Sequence, residues 1–164
     1  MQSYIDRVMA RLGDAGIRIA VFGSGGSRRV PEGFSETRAL EQLRDTARRL
    51  GEAAAAHGVT VVLEPLRRAE TNILNTQPES LAFVQSVGHP HFKLLCDYYH
   101  LVVEGGTPEM VAACGDALRH VHIANPDGRV AMKPDDKADY KAFFDALRRA
   151  GYDARVSFEG SASD

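Results

Sequence analysis

Four residues of the kinds that bind metal ions stand at equivalent places along the chain, each at or next to the end of a short apolar run. The four are Glu64, Asp97, His122 and Glu159. Their apolar runs predict buried β-strands, and a helical pattern precedes each one. Burying carboxylates and imidazoles is costly without a compensating partner. Four donors at neighbouring strand ends therefore predict a divalent-metal site, whereas each residue taken singly also fits a group that caps a helix or pairs with an arginine.

The chemical character of these donors narrows the choice of metal. Three carboxylates and one imidazole form a hard donor set, which favours Mn²⁺, with Mg²⁺, Co²⁺ or Zn²⁺ as alternatives, over a structural zinc held by thiolates. The only two cysteines, Cys96 and Cys114, are not part of the set. Because they lack paired spacing, we expect buried free thiols in a reducing, cytoplasmic compartment.

The composition is that of a folded domain, and its charge leads us to expect a small molecule as the partner. The 164 residues are 44% hydrophobic, which is enough to bury a core. The 20 Lys and Arg and the 22 Asp and Glu give a net charge of -2, so the chain has no basic field to hold nucleic acid. No apolar stretch reaches the ~18 residues of a membrane span, and the N-terminal sequence lacks signal-peptide features. We expect neither nucleic acid nor a membrane as a partner.

The order of the apolar patterns predicts an α/β fold. Short β-rich runs alternate with helical periodicity, which indicates about five parallel strands in a single domain over residues 1–164. Spacings of 33, 25 and 37 residues between the four donors are close to the ~31 residues of one β/α unit in a barrel. Barrels place their active sites at the carboxyl ends of the strands. A doubly wound sheet, the competing architecture, gathers its chemistry at one switch point. The prediction is a partial TIM (β/α)8 barrel.

Helix signals and a glycine-rich loop lie between the strands. Residues 23–33 are rich in glycine, and this loop either cradles a phosphate or makes a strand-to-helix turn; it lacks the spacing and lysine of a P-loop. Capping residues and periodicity predict helices over residues 3–14, 35–57, 78–87, 107–118 and 139–149.

Several motifs resemble one known family. The sequences GVTVVLEPLRRAETN, CDYYH, HVH and SFEG, at residues 58–72, 96–100, 120–122 and 157–160, are similar to the xylose isomerase-like sugar isomerase and epimerase barrels. The likeness is greatest to the tagatose/psicose 3-epimerase group. Since such barrels have eight strands, the resemblance implies a fragment that covers strands four to eight. We expect two copies to associate, because the two sheet edges would otherwise be exposed.

The resemblance also implies an activity in carbohydrate metabolism. It implies a divalent-metal-dependent ketose isomerase or epimerase that acts on a sugar or sugar phosphate. In that family the residues matching Glu64, Asp97, His122 and Glu159 hold the metal. Those matching Glu64 and Glu159 are also catalytic: one removes a proton to give a cis-enediolate, and the other returns a proton to the opposite face. Two alternatives remain, an inosose dehydratase-type lyase and a catalytically inactive barrel fragment that binds metal.

Three further residues are candidates for substrate binding by the same resemblance. Glu70 matches a substrate-binding glutamate, and a solvated loop charge is the alternative. His100 matches a histidine that contacts the substrate carbonyl region, and a capping or exposed histidine is the alternative. Arg129 resembles an arginine that binds substrate oxygens, although it follows His122 by seven residues, one more than the epimerase pattern. For His120, two residues before His122, we expect a core position and not a metal ligand.

Overall fold

The computed structural model describes residues 2–161, which form a parallel sheet of five strands curved into half a barrel. The strands follow one another in space in their chain order, and every neighbouring pair is parallel. This confirms the predicted partial α/β barrel. The ends of the predicted domain, Met1 and residues 162–164, lie outside the described residues. The strands are β1 (Ile19–Phe22), β2 (Thr60–Leu63), β3 (Phe92–Asp97), β4 (Leu118–Ile123) and β5 (Val156–Phe158).

Helices connect the strands, and most lie where the sequence predicts them. In the described part of the chain, no helix is both long and apolar enough to cross a membrane. Ser35 and Asp139 accept hydrogen bonds at the predicted starts of two helices. The helices are α1 (Gln2–Asp14), α2 (Gly25–Arg28), α3 (Glu36–Ala55), α4 (Gln77–Val87), α5 (Tyr98–Val103), α6 (Pro108–Ala112) and α7 (Tyr140–Arg149).

Three helical segments differ from the prediction, and one of them is α2, whose four residues lie within the glycine-rich loop. The helix expected over residues 107–118 ends at Ala112, and a separate 3-10 turn follows at Gly115–Ala117. Gly115 has a φ of 47°, which a continuous helix does not allow. The helix α5 was not predicted either, because its six residues directly follow a strand and are too few to show a helical period. Asp97 caps this helix: its side chain accepts a hydrogen bond from the Tyr99 backbone N–H at 2.8 Å.

Along each strand, side chains point alternately into the core beneath the helices and into the inside of the half-barrel. Val61, Leu63, Leu94, Cys96 and Val121 are buried in the cluster that packs beneath the helices. Successive side chains of a strand point to opposite faces. The intervening residues therefore face the inside of the half-barrel, and the candidate metal ligands belong to that set.

An irregularity between β3 and β4 brings two of these ligands side by side. Leu94 pairs with Leu118, but the next residue, Leu95, pairs with His120, so one residue of β4 is left over. The extra residue, Arg119, is exposed. A bulge of this kind shifts the register by one position. As a result Asp97 lies opposite His122 in the sheet, where a regular ladder would oppose it to Val121.

The loop after β2, residues 65–76, is held in shape by the carboxylate of Glu79 in α4. Glu79 accepts hydrogen bonds from the backbone N–H groups of Leu74 at 3.0 Å and Asn75 at 2.9 Å. It also completes a capping box with Thr76. Leu74 has a φ of 56°, an uncommon conformation for a residue other than glycine. The carboxylate therefore fixes a turn that the backbone alone would not favour.

We expect the substitution Glu79→Ala to lower the free energy of unfolding by about 2 kcal/mol, because it removes charge-assisted hydrogen bonds and a helix cap together. Urea denaturation followed by circular dichroism measures this change. Glu52→Ala, at an exposed position of α3, is the control and should shift stability by less than about 0.5 kcal/mol. Equal, small changes in the two variants would contradict the role given to Glu79.

Candidate metal centre and active site

The structure brings the four predicted donors together at the carboxyl edge of the sheet. Glu64, Asp97, His122 and Glu159 each offer one ligand atom, and these atoms all lie within 4.8 Å of one another. Glu64 directly follows β2, Asp97 ends β3, His122 is next to last in β4, and Glu159 directly follows β5. The first three are buried, whereas the Glu159 side chain is 46% exposed because it follows an edge strand. The group is a candidate metal centre.

Two positive groups compensate the three carboxylates in this structure. The Nδ1 atom of His122 lies within hydrogen-bond distance of Glu64 Oε1, at 3.0 Å, and of Glu159 Oε2, at 2.7 Å. Arg129 Nη2 donates to Asp97 Oδ2 at 3.0 Å and to Glu159 Oε2 at 2.9 Å. The alternative interpretation of the sequence, carboxylates paired with an arginine, therefore describes Asp97 and Glu159 here. Arg129 has a φ of 53°, so its backbone adopts the left-handed region to bring the guanidinium to this point.

The pKa values show how strongly these groups act on one another. Burial and the nearby charge of Glu64 raise the pKa of Asp97 to about 7, against the opposing effect of Arg129. The hydrogen bond from His122 lowers the pKa of Glu159 to about 2. Burial lowers the pKa of His122, but its hydrogen bonds to Glu159 and Glu64 outweigh that effect and raise it to about 9. The donors thus form one coupled electrostatic unit.

The backbone around Glu64 is fixed from the side of β1. The buried Arg28 donates from Nη2 to the carbonyl of Glu64 at 2.6 Å and from Nη1 to that of Phe22 at 3.2 Å. A Cβ added at Gly23 would overlap Glu64 Oε2, so the position leaves no room for a side chain. The glycine-rich loop therefore makes a close turn against the glutamate and continues into α2, as the turn interpretation predicts.

His100 lies beside the centre with one free ring nitrogen. Its ring is buried, and its Nδ1 accepts a hydrogen bond from the Arg67 backbone N–H at 3.2 Å. Burial lowers the pKa of His100 to about 4, so the ring is neutral at pH 7 and carries its proton on Nε2. Within residues 2–161 that Nε2 has no hydrogen-bond partner, and it lies 3.9 Å from Asp97 Oδ2. A buried donor without a partner is available to a ligand.

Glu70 lies in the loop after β2 and is bound by an arginine that the sequence analysis did not single out. Arg67 donates from Nε to Glu70 Oε1 at 2.8 Å, and both side chains are about one third exposed. Arg67 and Arg129 both lie against the ring of Tyr99, with their Cζ atoms 5.4 and 4.9 Å from its centroid. The sequence signal that could have suggested these contacts is the position of Tyr99, two residues after Asp97.

His120 occupies the position expected for it below the centre. It is buried, and its ring packs edge-on against that of His122, with the two ring centroids 5.0 Å apart. Its Nε2 lies 3.2 Å from Ser157 Oγ. It is not part of the group of four donors. Both cysteines are free and buried, as predicted.

Comparison with curated proteins finds sugar epimerases among the relatives. The L-ribulose 3-epimerase of Methylomonas sp. (strain DH-1) is 37% identical over 117 residues, which are 71% of this chain and 40% of that protein. The ketose 3-epimerase of Arthrobacter globiformis is 34% identical over 116 residues, 70% of this chain and 39% of that protein. The chain thus spans about 40% of the length of the curated relatives that it matches.

Solved structures and a family model agree with that comparison. The 3-keto-D-glucoside 4-epimerase of E. coli, in its apo form, has a TM-score of 0.85 to this chain at 26% identity, and the match covers 99% of this chain and 64% of the other. A family model described as a xylose isomerase-like TIM barrel matches residues 2–164. The chain therefore belongs to the xylose isomerase-like TIM barrel family.

Proposed function

We propose that this chain carries the proton-transfer site of a divalent-metal-dependent ketose epimerase. The observation that carries the proposal is the convergence of three carboxylates and one imidazole within 4.8 Å, at the carboxyl ends of successive parallel strands. Barrels of this kind place their active sites at that edge. The names of the relatives, L-ribulose 3-epimerase and ketose 3-epimerase, support the same reaction class.

The donor set suits a hard divalent cation. Ligand atoms that each lie ~2.1 Å from one ion are at most about 4.2 Å apart. The four candidate ligand atoms lie within 4.8 Å of one another, so the longest of these distances would need to shorten by only a few tenths of an ångström. Glu64, Asp97, His122 and Glu159 would hold the metal, and Mn²⁺ is the ion that we propose. When bound, such a cation stabilises negative charge that develops on the oxygens of a substrate.

Glu64 and Glu159 are the proposed acid and base. The Glu159 carboxylate takes a proton from the carbon next to the substrate carbonyl, which leaves a cis-enediolate. Glu64 then returns a proton to the opposite face of the same carbon, and the configuration inverts. The Glu159 side chain is about half exposed and the Glu64 side chain is buried, so the two carboxyl groups lie in different environments. Fixing both groups makes each transfer effectively intramolecular.

The remaining predicted residues are proposed to bind the sugar. His100 offers a neutral Nε2–H beside Asp97, a suitable donor for a carbonyl or hydroxyl oxygen. Glu70 offers a carboxylate that accepts from sugar hydroxyls. Arg129 already reaches two candidate metal ligands and would bind substrate oxygens once a cation takes over its contacts with them.

Incubation with Mn²⁺ in deuterated water tests the reaction directly. The panel is L-ribulose, D-psicose, D-tagatose and D-fructose, with an inosose added to test the dehydratase alternative. In the ketoses we expect deuterium to enter at the carbon that epimerises. Glu159→Gln should slow this exchange at least about a hundredfold, because it removes the base and keeps an oxygen donor. Glu52→Gln, at an exposed position of α3, is the control and should exchange at the rate of the unsubstituted chain.

Other outcomes of that experiment contradict the proposal. Loss of water from an inosose, with no exchange in the ketoses, would favour the dehydratase alternative. Binding of Mn²⁺ without exchange in any sugar would favour the inactive fragment.

The role of Arg129 as a counter-ion predicts its effect on metal affinity. We expect Arg129→Ala to bind Mn²⁺ about tenfold more tightly, since the guanidinium and the cation compete for Asp97 and Glu159. Titration calorimetry measures the change. Arg68→Ala is the matched control, because Arg68 pairs with Glu104 and not with the four donors. Weaker Mn²⁺ binding by Arg129→Ala would show instead that the arginine is needed to hold the donors in place.

Two copies of the chain are proposed to cover the exposed edges of the sheet. β1 and β5 are the edge strands, and Val21 and Phe158 on them are 45% and 47% exposed. Unpaired parallel edges with exposed apolar side chains favour association. We expect light scattering at micromolar concentration to give twice the mass of one chain, and the mass of a single chain would contradict the proposal.

A further inference from the structure

The ring of Tyr99 holds two guanidinium groups in fixed positions next to the candidate centre. Tyr99 is buried, and its backbone N–H donates to Asp97 Oδ1 at 2.8 Å, so the ring is tied to one of the four donors. Arg129 Cζ lies 4.9 Å and Arg67 Cζ 5.4 Å from the ring centroid. Because both pack on one ring, the two Cζ atoms are no more than about 10 Å apart. An extended sugar that contacts Arg129 can therefore also contact Arg67.

The two arginines differ in what their nitrogens already bind. Nη2 of Arg129 is occupied by Asp97 and Glu159. Within residues 2–161, the guanidinium of Arg67 makes one hydrogen bond, from Nε to Glu70. Its Nη1 and Nη2 atoms, on a side chain that is 37% exposed, are left to a ligand. This edge of a guanidinium donates two parallel hydrogen bonds to a carboxylate or a phosphate.

The loop holds Arg67 in place before any ligand arrives. Its backbone N–H donates to the buried ring of His100 at 3.2 Å, and its Nε is bound by Glu70 at 2.8 Å. Farther along the loop, Arg29 Nη2 donates to the Ala69 carbonyl at 3.2 Å. Ordering the donor in advance lowers the entropic cost of binding an anion there.

Charged groups of both signs surround Glu70, the carboxylate that Arg67 binds. Glu70 lies within electrostatic range of three arginines, Arg28, Arg67 and Arg129. The guanidinium of Arg28 donates to two backbone carbonyls and not to a carboxylate, so no acid neutralises it by direct contact. Arg28 also lies within electrostatic range of Glu64 and Glu79, so carboxylates and guanidinium groups are both present around the loop. The feature that favours an anion is therefore the free Nη1 and Nη2 edge of Arg67 and not an excess of positive charge.

From this arrangement we infer that Arg67 binds an anionic group, a phosphate or a carboxylate, at the end of the sugar remote from the four donors, and so selects acidic sugars over neutral ketoses. The inference rests on the proposed function, since it names the substrate class of the same site. It makes Arg67 a specificity-determining residue and leaves the proton transfer to Glu64 and Glu159.

Three sugars with the same carbon skeleton test the inference. D-fructose, D-fructose 6-phosphate and D-fructuronate differ only in carrying a hydroxyl, a phosphate or a carboxylate at the sixth carbon. With the Mn²⁺-loaded chain, calorimetry should give dissociation constants at least about tenfold lower for an acidic sugar than for D-fructose. Whether the phosphate or the carboxylate sugar binds more tightly identifies the anion.

Two matched variants assign the effect to one residue. Arg67→Gln should abolish the preference for the acidic sugars, and Arg68→Gln, which removes the same charge from the neighbouring residue, should keep it. Equal dissociation constants for the three sugars, or a preference that survives in Arg67→Gln, would overturn the inference. Deuterium exchange into D-fructose, measured in parallel, reports on the proposed function separately: exchange without any acidic preference refutes the inference alone.

Discussion

Mutual repulsion among three carboxylates that meet at one point is the constraint on which the rest of this structure depends. Glu64, Asp97 and Glu159 place their oxygens within 4.8 Å of one another and of the imidazole of His122. Two like charges 4 Å apart repel by about 4 kcal/mol at an effective dielectric constant of 20. Three such pairs would cost as much as the total stability of many domains. Positive charge must therefore lie among them, and here His122 and Arg129 provide it.

The fold creates this constraint by its register. Parallel strands bring their carboxyl ends to one edge, and the irregularity between Leu94 and Leu95 sets Asp97 opposite His122. Arg28 fixes the carbonyl that follows β2, and Gly23 leaves space beside Glu64. These features hold the carboxylates close together and keep each from relaxing away from the others. A divalent cation offers more positive charge at this point than an imidazolium or a guanidinium does, which is the physical basis of the proposed metal dependence.

Much of this arrangement could be predicted from the sequence, because the relevant signals are local. A polar residue at the end of an apolar run is visible in the chain, so the positions of Glu64, Asp97, His122 and Glu159 at the strand ends were predictable. The same is true of the helix starts at Ser35 and Asp139. The bulge at Arg119 was not predictable, because the register of two strands depends on packing between distant segments. Arg67 and Tyr99 were missed for a similar reason: their contact joins the loop after β2 to the helix α5. The helix α5 is too short to show a period of its own.

A manganese anomalous difference map from crystals soaked in Mn²⁺ tests the central claim most directly. We expect one strong peak among the side chains of Glu64, Asp97, His122 and Glu159, with the Arg129 guanidinium withdrawn from Asp97 and Glu159. A map without a peak among those four side chains, in which Arg129 still bridges the two carboxylates, would contradict it.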